Sequence, residues 1–204
     1  MNAVVPSVFA IKAKEYAQRF NRVSSMSKRI HVDVMDGKFV PRKSPSLIFL
    51  MNKGNEIDVH LMAEDPLKYA EEIQRLKAKR VFIHFEIKNF IEKFIDMREK
   101  GFSVGIAIKP KTKISEVIPY IKFADCFLVM AVAPGKEGQK FIFGTEKKVK
   151  ELRKETDKEI LVDGGINEKT IKKLKKMCGV AVGSYLSNSE NPKKEIEILK
   201  KELR

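Results

Sequence analysis

Apolar residues recur along this chain in short runs rich in Val, Ile and Phe, and each run precedes a stretch whose apolar positions fall three or four apart. The first pattern suits a strand buried on both faces and the second an amphipathic helix. Strands are expected at 3–9, 29–35, 56–62, 80–86, 102–108, 125–132, 159–164 and 179–184. Helices are expected between them, in KAKEYAQRFNRV, SLIFLMNKG, PLKYAEEIQRLKAK, KNFIEKFIDMREKG, KISEVIPYIKFA, TEKKVKELRKET and NEKTIKKLKKM, and at the end in NPKKEIEILKKEL. End signals agree: Asp65-Pro66 opens one helix, Gly101 follows another and Asn167 caps a third.

No linker or low-complexity tract interrupts the alternation, so residues 1–204 are expected to form one domain. Strands alternating with helices indicate a parallel sheet, either closed or open and doubly wound. The open sheet usually carries GxGxxG after its first strand, whereas the turn here reads VFAIKA. Eight repeats without that fingerprint point to an α/β fold of the single-domain (β/α)8 TIM-barrel type.

Composition narrows the class. Hydrophobic residues make up 43% and charged ones 33%, which excludes disorder. No apolar run reaches the ~20 residues of a membrane span, and the N-terminus lacks the pattern of a signal peptide. Cys126 and Cys178 lie far apart in apolar surroundings, so free thiols and a reducing cytoplasm are expected. The net charge of +14 draws anions. Basic residues are interleaved with acids, as in EKKVKELRKETDKE, and lack interspersed aromatic platforms. Nucleic acid is therefore not the expected partner; a phosphorylated small molecule suits the same field.

Candidate chemistry sits at the C-terminal strand ends, where barrel enzymes place reacting groups. All three histidines fall there: His31 beside Asp33 and Met35, His60 beside Met62, and His84 beside Glu86. Met130 and Asp163 occupy the same position on later strands. A lone buried histidine is ordinarily a hydrogen-bonded core residue, but the whole set on strand ends points to a site. His31 and Asp33, two apart, share a face with Cα atoms roughly 6.6 Å apart. With His60 and Asp163 they make an N2O2 set suited to one divalent ion, Zn, Fe, Mn or Co. A buried His–Asp network without an ion fits the same spacing. The glycine-bearing loops PGKEGQKF, DGGIN and VGSYLSN follow the sixth to eighth strands, and barrel phosphate sites favour the last two loops. Methionines at this register ordinarily serve packing, and beside a metal site they also supply an apolar wall.

Taken together, VVPSVFA, HVDVMDGKFVP, DVHLMAEDP, FIHFE, AIKPKT, LVMAVAPGKEGQKFI, LVDGGIN and VAVGS resemble the ribulose-phosphate 3-epimerase family through most of the chain. The resemblance implies a (β/α)8 isomerase that interconverts D-ribulose 5-phosphate and D-xylulose 5-phosphate in the pentose phosphate pathway. It implies His31, Asp33, His60 and Asp163 as metal ligands, and Asp33 and Asp163 as acid and base. It places Ser7, Met35, Met62, Met130 and Gly138 about the substrate, and Gly165, Gly183 and Ser184 about its phosphate. It implies a homo-oligomer as well. An epimerase of a hexulose 6-phosphate such as allulose 6-phosphate is the near alternative, and a basic anion-binding barrel without turnover the non-enzymatic one. The family's PGFGGQ loop reads PGKEGQ here, with Lys136 and Glu137 in place of an apolar residue and a glycine. Ala131 and Ala133 stand where polar side chains are usual, and the RKSPS segment is short.

Overall fold

A computed structural model describes residues 3–203; residues 1, 2 and 204, included in the expected domain range, lie outside it. Eight parallel strands close into a barrel in chain order. They are β1 (Val4–Val8), β2 (Arg29–Met35), β3 (Glu56–Met62), β4 (Arg80–His84), β5 (Ser103–Ile108), β6 (Cys126–Met130), β7 (Glu159–Asp163) and β8 (Gly179–Val182). Each expected strand is present, trimmed by up to two residues at an end.

Both faces of the strands are apolar because both are covered. Val5, Phe82, Ala107, Cys126, Leu128, Met130 and Leu161 fill the barrel interior, while the other parity packs against the helices. Gly105 of β5 makes room inside, since a Cβ there would meet the Phe82 ring at 2.6 Å and Cys126 Sγ at 2.7 Å.

The helices are α1 (Ala13–Ser24), α2 (Ala70–Leu76), α3 (Phe90–Glu99), α4 (Ile114–Val117), α5 (Thr145–Glu155), α6 (Glu168–Ile171), α7 (Ser184–Ser187) and α8 (Pro192–Leu203). Helical spacing sets their buried stripes, as in Tyr16, Phe20 and Val23 of α1 or Phe90, Phe94 and Met97 of α3. Their distribution departs from expectation at one repeat. SLIFLMNKG forms only a 3₁₀ turn, Leu47–Phe49. The Asn52 side chain accepts from Gly54 N at 2.9 Å and Asn55 N at 2.8 Å, a local turn that competes with helix. Elsewhere Pro119 ends α4 in a 3₁₀ turn, and the additional α7 follows β8.

At the N-terminal mouth, the fully buried Asp58 accepts from Arg29 Nε and Arg80 Nη1, each at 2.7 Å. Arg29 also donates both Nη groups to Glu159, at 2.6 and 3.0 Å. This ionic layer closes the end of the barrel opposite the candidate site.

Candidate active site

Strand register assembles the site. Ser7 aligns with His31, Asp33 with His60, Met35 with Met62, and Met130 with Asp163. Residues far apart in sequence are therefore set side by side on neighbouring strands toward the C-terminal end of the barrel. The Tyr16 hydroxyl donates to the Asp33 carbonyl at 2.8 Å and ties α1 to β2 behind them.

One ligand atom from each of His31, Asp33, His60 and Asp163 lies within 4.8 Å of the other three. His60 Nδ1 stands 2.9 Å from Asp33 Oδ1 and 3.9 Å from Asp163 Oδ2, and His31 Nε2 stands 3.5 Å from Asp33 Oδ1. His31 is fully buried, yet neither of its ring nitrogens has a hydrogen-bond partner among the described residues. A buried imidazole without partners is costly. An ion among the four donors would satisfy Nε2, the nitrogen 3.5 Å from Asp33, and two nitrogens with two carboxylates form a suitable set.

The two carboxyls are pushed in opposite directions. Burial works to raise Asp33, but its contacts with the His31 and His60 rings hold it far below the ordinary carboxylate value. Burial raises Asp163 to about 6, and the charge of Asp33 adds to that shift. Burial works to lower His31, and the charges of Asp33 and Asp163 bring it above its ordinary value.

A second histidine stands behind the first. His60 Nε2 lies 2.9 Å from His84 Nε2, and His84 Nδ1 lies 3.1 Å from Glu86 Oε2. Glu86 Oε1 accepts from Lys109 N at 2.7 Å and Thr112 Oγ1 at 2.5 Å. Burial lowers His84 to about 4, so its ring is neutral. His84 and Glu86 stand out in sequence as strand-end polar residues, but their connection to His60 becomes visible only across β3 and β4. Asp36 stabilises a turn, accepting from Lys38, Phe39 and Glu64 backbone N–H groups.

A cavity of about 50 Å³ opens over these groups. Asp33, Asp163, Met62, Met130, Ser7, Gly138, Gly165, Gly183 and Ser184 all line it. Met35 does not; it packs in a cluster with Phe9, Val40 and Met62. Gly165 has φ +65, and a Cβ there would run into the backbone of Phe141, so glycine alone permits this approach of two loops.

The sequence profile of the ribulose-phosphate 3 epimerase family matches residues 3–184. A ribulose-phosphate 3-epimerase of Helicobacter pylori is 34% identical over 207 residues, covering 95% of this chain and 94% of that one. The enzyme of that name from Chlamydia muridarum is 36% identical over 162 residues, 74% of this chain and 71% of its own. In fold, the chain is similar to the 3-hexulose-6-phosphate synthase structure from Salmonella typhimurium, with a TM-score of 0.68, 17% identity and 98% of both chains covered.

Proposed function

The chain belongs to the ribulose-phosphate 3-epimerase family, and from that membership we propose that it interconverts D-ribulose 5-phosphate and D-xylulose 5-phosphate at C3. Asp33 and Asp163 act as paired base and acid. The observation that carries this reading is that the two carboxyls face one cavity with their protonation pushed apart.

The C3 proton is acidic because it lies α to the C2 ketone. The ionised carboxylate removes it, and the electron pair moves onto the C2 oxygen to give an enediolate. The protonated carboxyl then delivers a proton to the opposite face, and the ketone re-forms. In the reverse direction the two groups exchange roles, so no redox step is required. Met62 and Met130 lay apolar, polarizable side chains beside the flat intermediate. Ser7 and Gly138 contribute to the substrate wall, and Gly165, Gly183 and Ser184 to the phosphate end.

His31, Asp33, His60 and Asp163 would hold one divalent ion, zinc, iron, manganese or cobalt. When bound, it supplies Lewis-acid stabilisation of negative charge on substrate oxygens.

The test is proton exchange. Metal-loaded protein with ribulose 5-phosphate in D₂O is expected to incorporate deuterium at C3 and form xylulose 5-phosphate, both followed by NMR. Absence of exchange and product with metal bound overturns the proposal. Asp33→Asn and Asp163→Asn are each expected to lower turnover at least about 100-fold, the lower range for a positioned acid or base. Near-native turnover in either variant refutes the two-base assignment.

A further inference from the structure

The loop between β6 and α5 carries Glu137 where the family pattern has glycine, and this acid turns inward. Its Oε2 accepts from Arg19 Nη1 at 2.7 Å, and its Oε1 accepts from Ser187 Oγ at 3.3 Å. Oε1 also stands 3.4 Å from the place a Cβ on Gly183 would take. The carboxylate therefore lies beside the proposed phosphate end of the cavity that Asp33 and Asp163 line. Arg19 is held on α1 by Glu15 at 2.8 Å, and it donates to the Phe9 carbonyl at 2.9 Å. Its guanidinium thus stays in place whether or not Glu137 does.

The cavity beneath measures about 50 Å³, whereas small-molecule sites begin at roughly 300 Å³. A sugar phosphate enters only when the loop lifts, and lifting it separates Glu137 from Arg19. The Arg19 and Glu137 side chains are 29% and 22% exposed, so water screens the pair only in part and the pair can still exchange.

We infer that Glu137 is a tethered stand-in for the substrate's phosphate: its carboxylate occupies the phosphate-monoester end of the site and hands Arg19 to the incoming dianion. This rests on the sugar-phosphate reading above and adds Arg19 as a phosphate-binding, specificity-determining residue. A phosphate monoester brings a charge of about −1.5 to −2 and three acceptor oxygens, against one charge and two oxygens on a carboxylate. Exchange at Arg19 therefore favours the dianion. A competitor on a short tether acts at an effective concentration in the mM range, enough to exclude weakly held monoanions.

Inorganic phosphate is the probe, titrated into metal-loaded protein and followed by calorimetry or ³¹P NMR. Glu137→Gln is expected to tighten phosphate roughly two- to five-fold, the span of a partly exposed ion pair. Arg19→Ala is expected to weaken it by at least as much, Arg19→Lys to recover part of the loss, and the double variant to bind more weakly than Glu137→Gln alone. If Arg19 only anchored the loop, Arg19→Ala would tighten phosphate as Glu137→Gln does; that result overturns the inference. Unchanged affinity in Glu137→Gln overturns it too. Epimerisation of ribulose 5-phosphate, measured on the same wild-type sample, keeps the two readings apart. Turnover without a Glu137 effect sinks only the stand-in, and the expected phosphate shifts without turnover sink only the epimerase.

Discussion

Replacing Glu86 with glutamine preserves shape and removes one charge, and it is expected to loosen the hold on a divalent ion without unfolding the barrel. His60 turns Nδ1 toward Asp33 and Asp163. To offer a lone pair there, it must carry its proton on Nε2. That proton goes to His84 Nε2 at 2.9 Å, so His84 carries its own on Nδ1 and donates it to Glu86 Oε2 at 3.1 Å. These tautomers are assigned from their hydrogen-bond partners. The other Glu86 oxygen is committed to Lys109 N and Thr112 Oγ1. A glutamine has one oxygen for both sides. With that oxygen toward Lys109, its NH₂ meets His84 Nδ1–H, which drives the proton to His84 Nε2 and in turn the His60 proton to Nδ1, blocking the ligand lone pair. With the oxygen toward His84, the NH₂ opposes the Lys109 N–H instead.

Groups that orient metal-binding imidazoles are typically worth about 10- to 100-fold in affinity. This corresponds to about 1.4–2.7 kcal/mol. Competition with a chromophoric chelator measures the loss directly. The Co²⁺ absorption bands provide a second readout, which a change in global stability alone would not move. Metal affinity within about two-fold of wild type, with unshifted Co²⁺ bands, refutes the relay.

Three further predictions concern the rest of the barrel. Asp58→Ala strips the fully buried acid from Arg29 and Arg80 and is expected to cost ~3–5 kcal/mol, about 6–20 °C in Tm by calorimetry, while turnover per folded molecule holds. A Tm loss under about 2 °C would contradict this. The raised Asp163 binds its proton in the folded state between the ordinary 3.8 and about 6, so its contribution to stability is full below that window and is lost as pH rises through it. Urea unfolding with chelator present is therefore expected to show wild type losing stability relative to Asp163→Asn from pH 4 to 6; a constant difference refutes the shift. Burial pushes both Cys126 and Cys178 up to about 12, so neither is expected to react with a thiol reagent at pH 8 until denaturant is added. Labelling of either at the rate of a free thiol refutes it.

The barrel was legible because a buried parallel strand leaves a local trace, a short Val- and Ile-rich run between amphipathic stretches. The candidate site was legible because polar residues break those runs with a period of two: on one strand, His31 and Asp33 share a face whatever the fold around them. Period two reports the face of a strand but not the depth along the barrel axis. Asp58 has the parity of His60 and so points inward as well, yet it serves the opposite mouth. Only the register setting Asp58 beside Arg80, with Arg29 reaching across from β2, reveals its ionic layer. His84 and Glu86 were visible as strand-end polar groups, but a relay needs two rings 2.9 Å apart, and barrel closure sets that distance. SLIFLMNKG misled because its apolar spacing is helical, while the Asn52 turn that ends it depends on one side chain. Glu137 lies furthest from sequence reasoning. Its partner is 118 residues away on α1, and nothing in the PGKEGQ string distinguishes a solvated acid from one turned toward the cavity. Local periodicity places side chains on faces; closure of the sheet and return of its loops decide which charges meet.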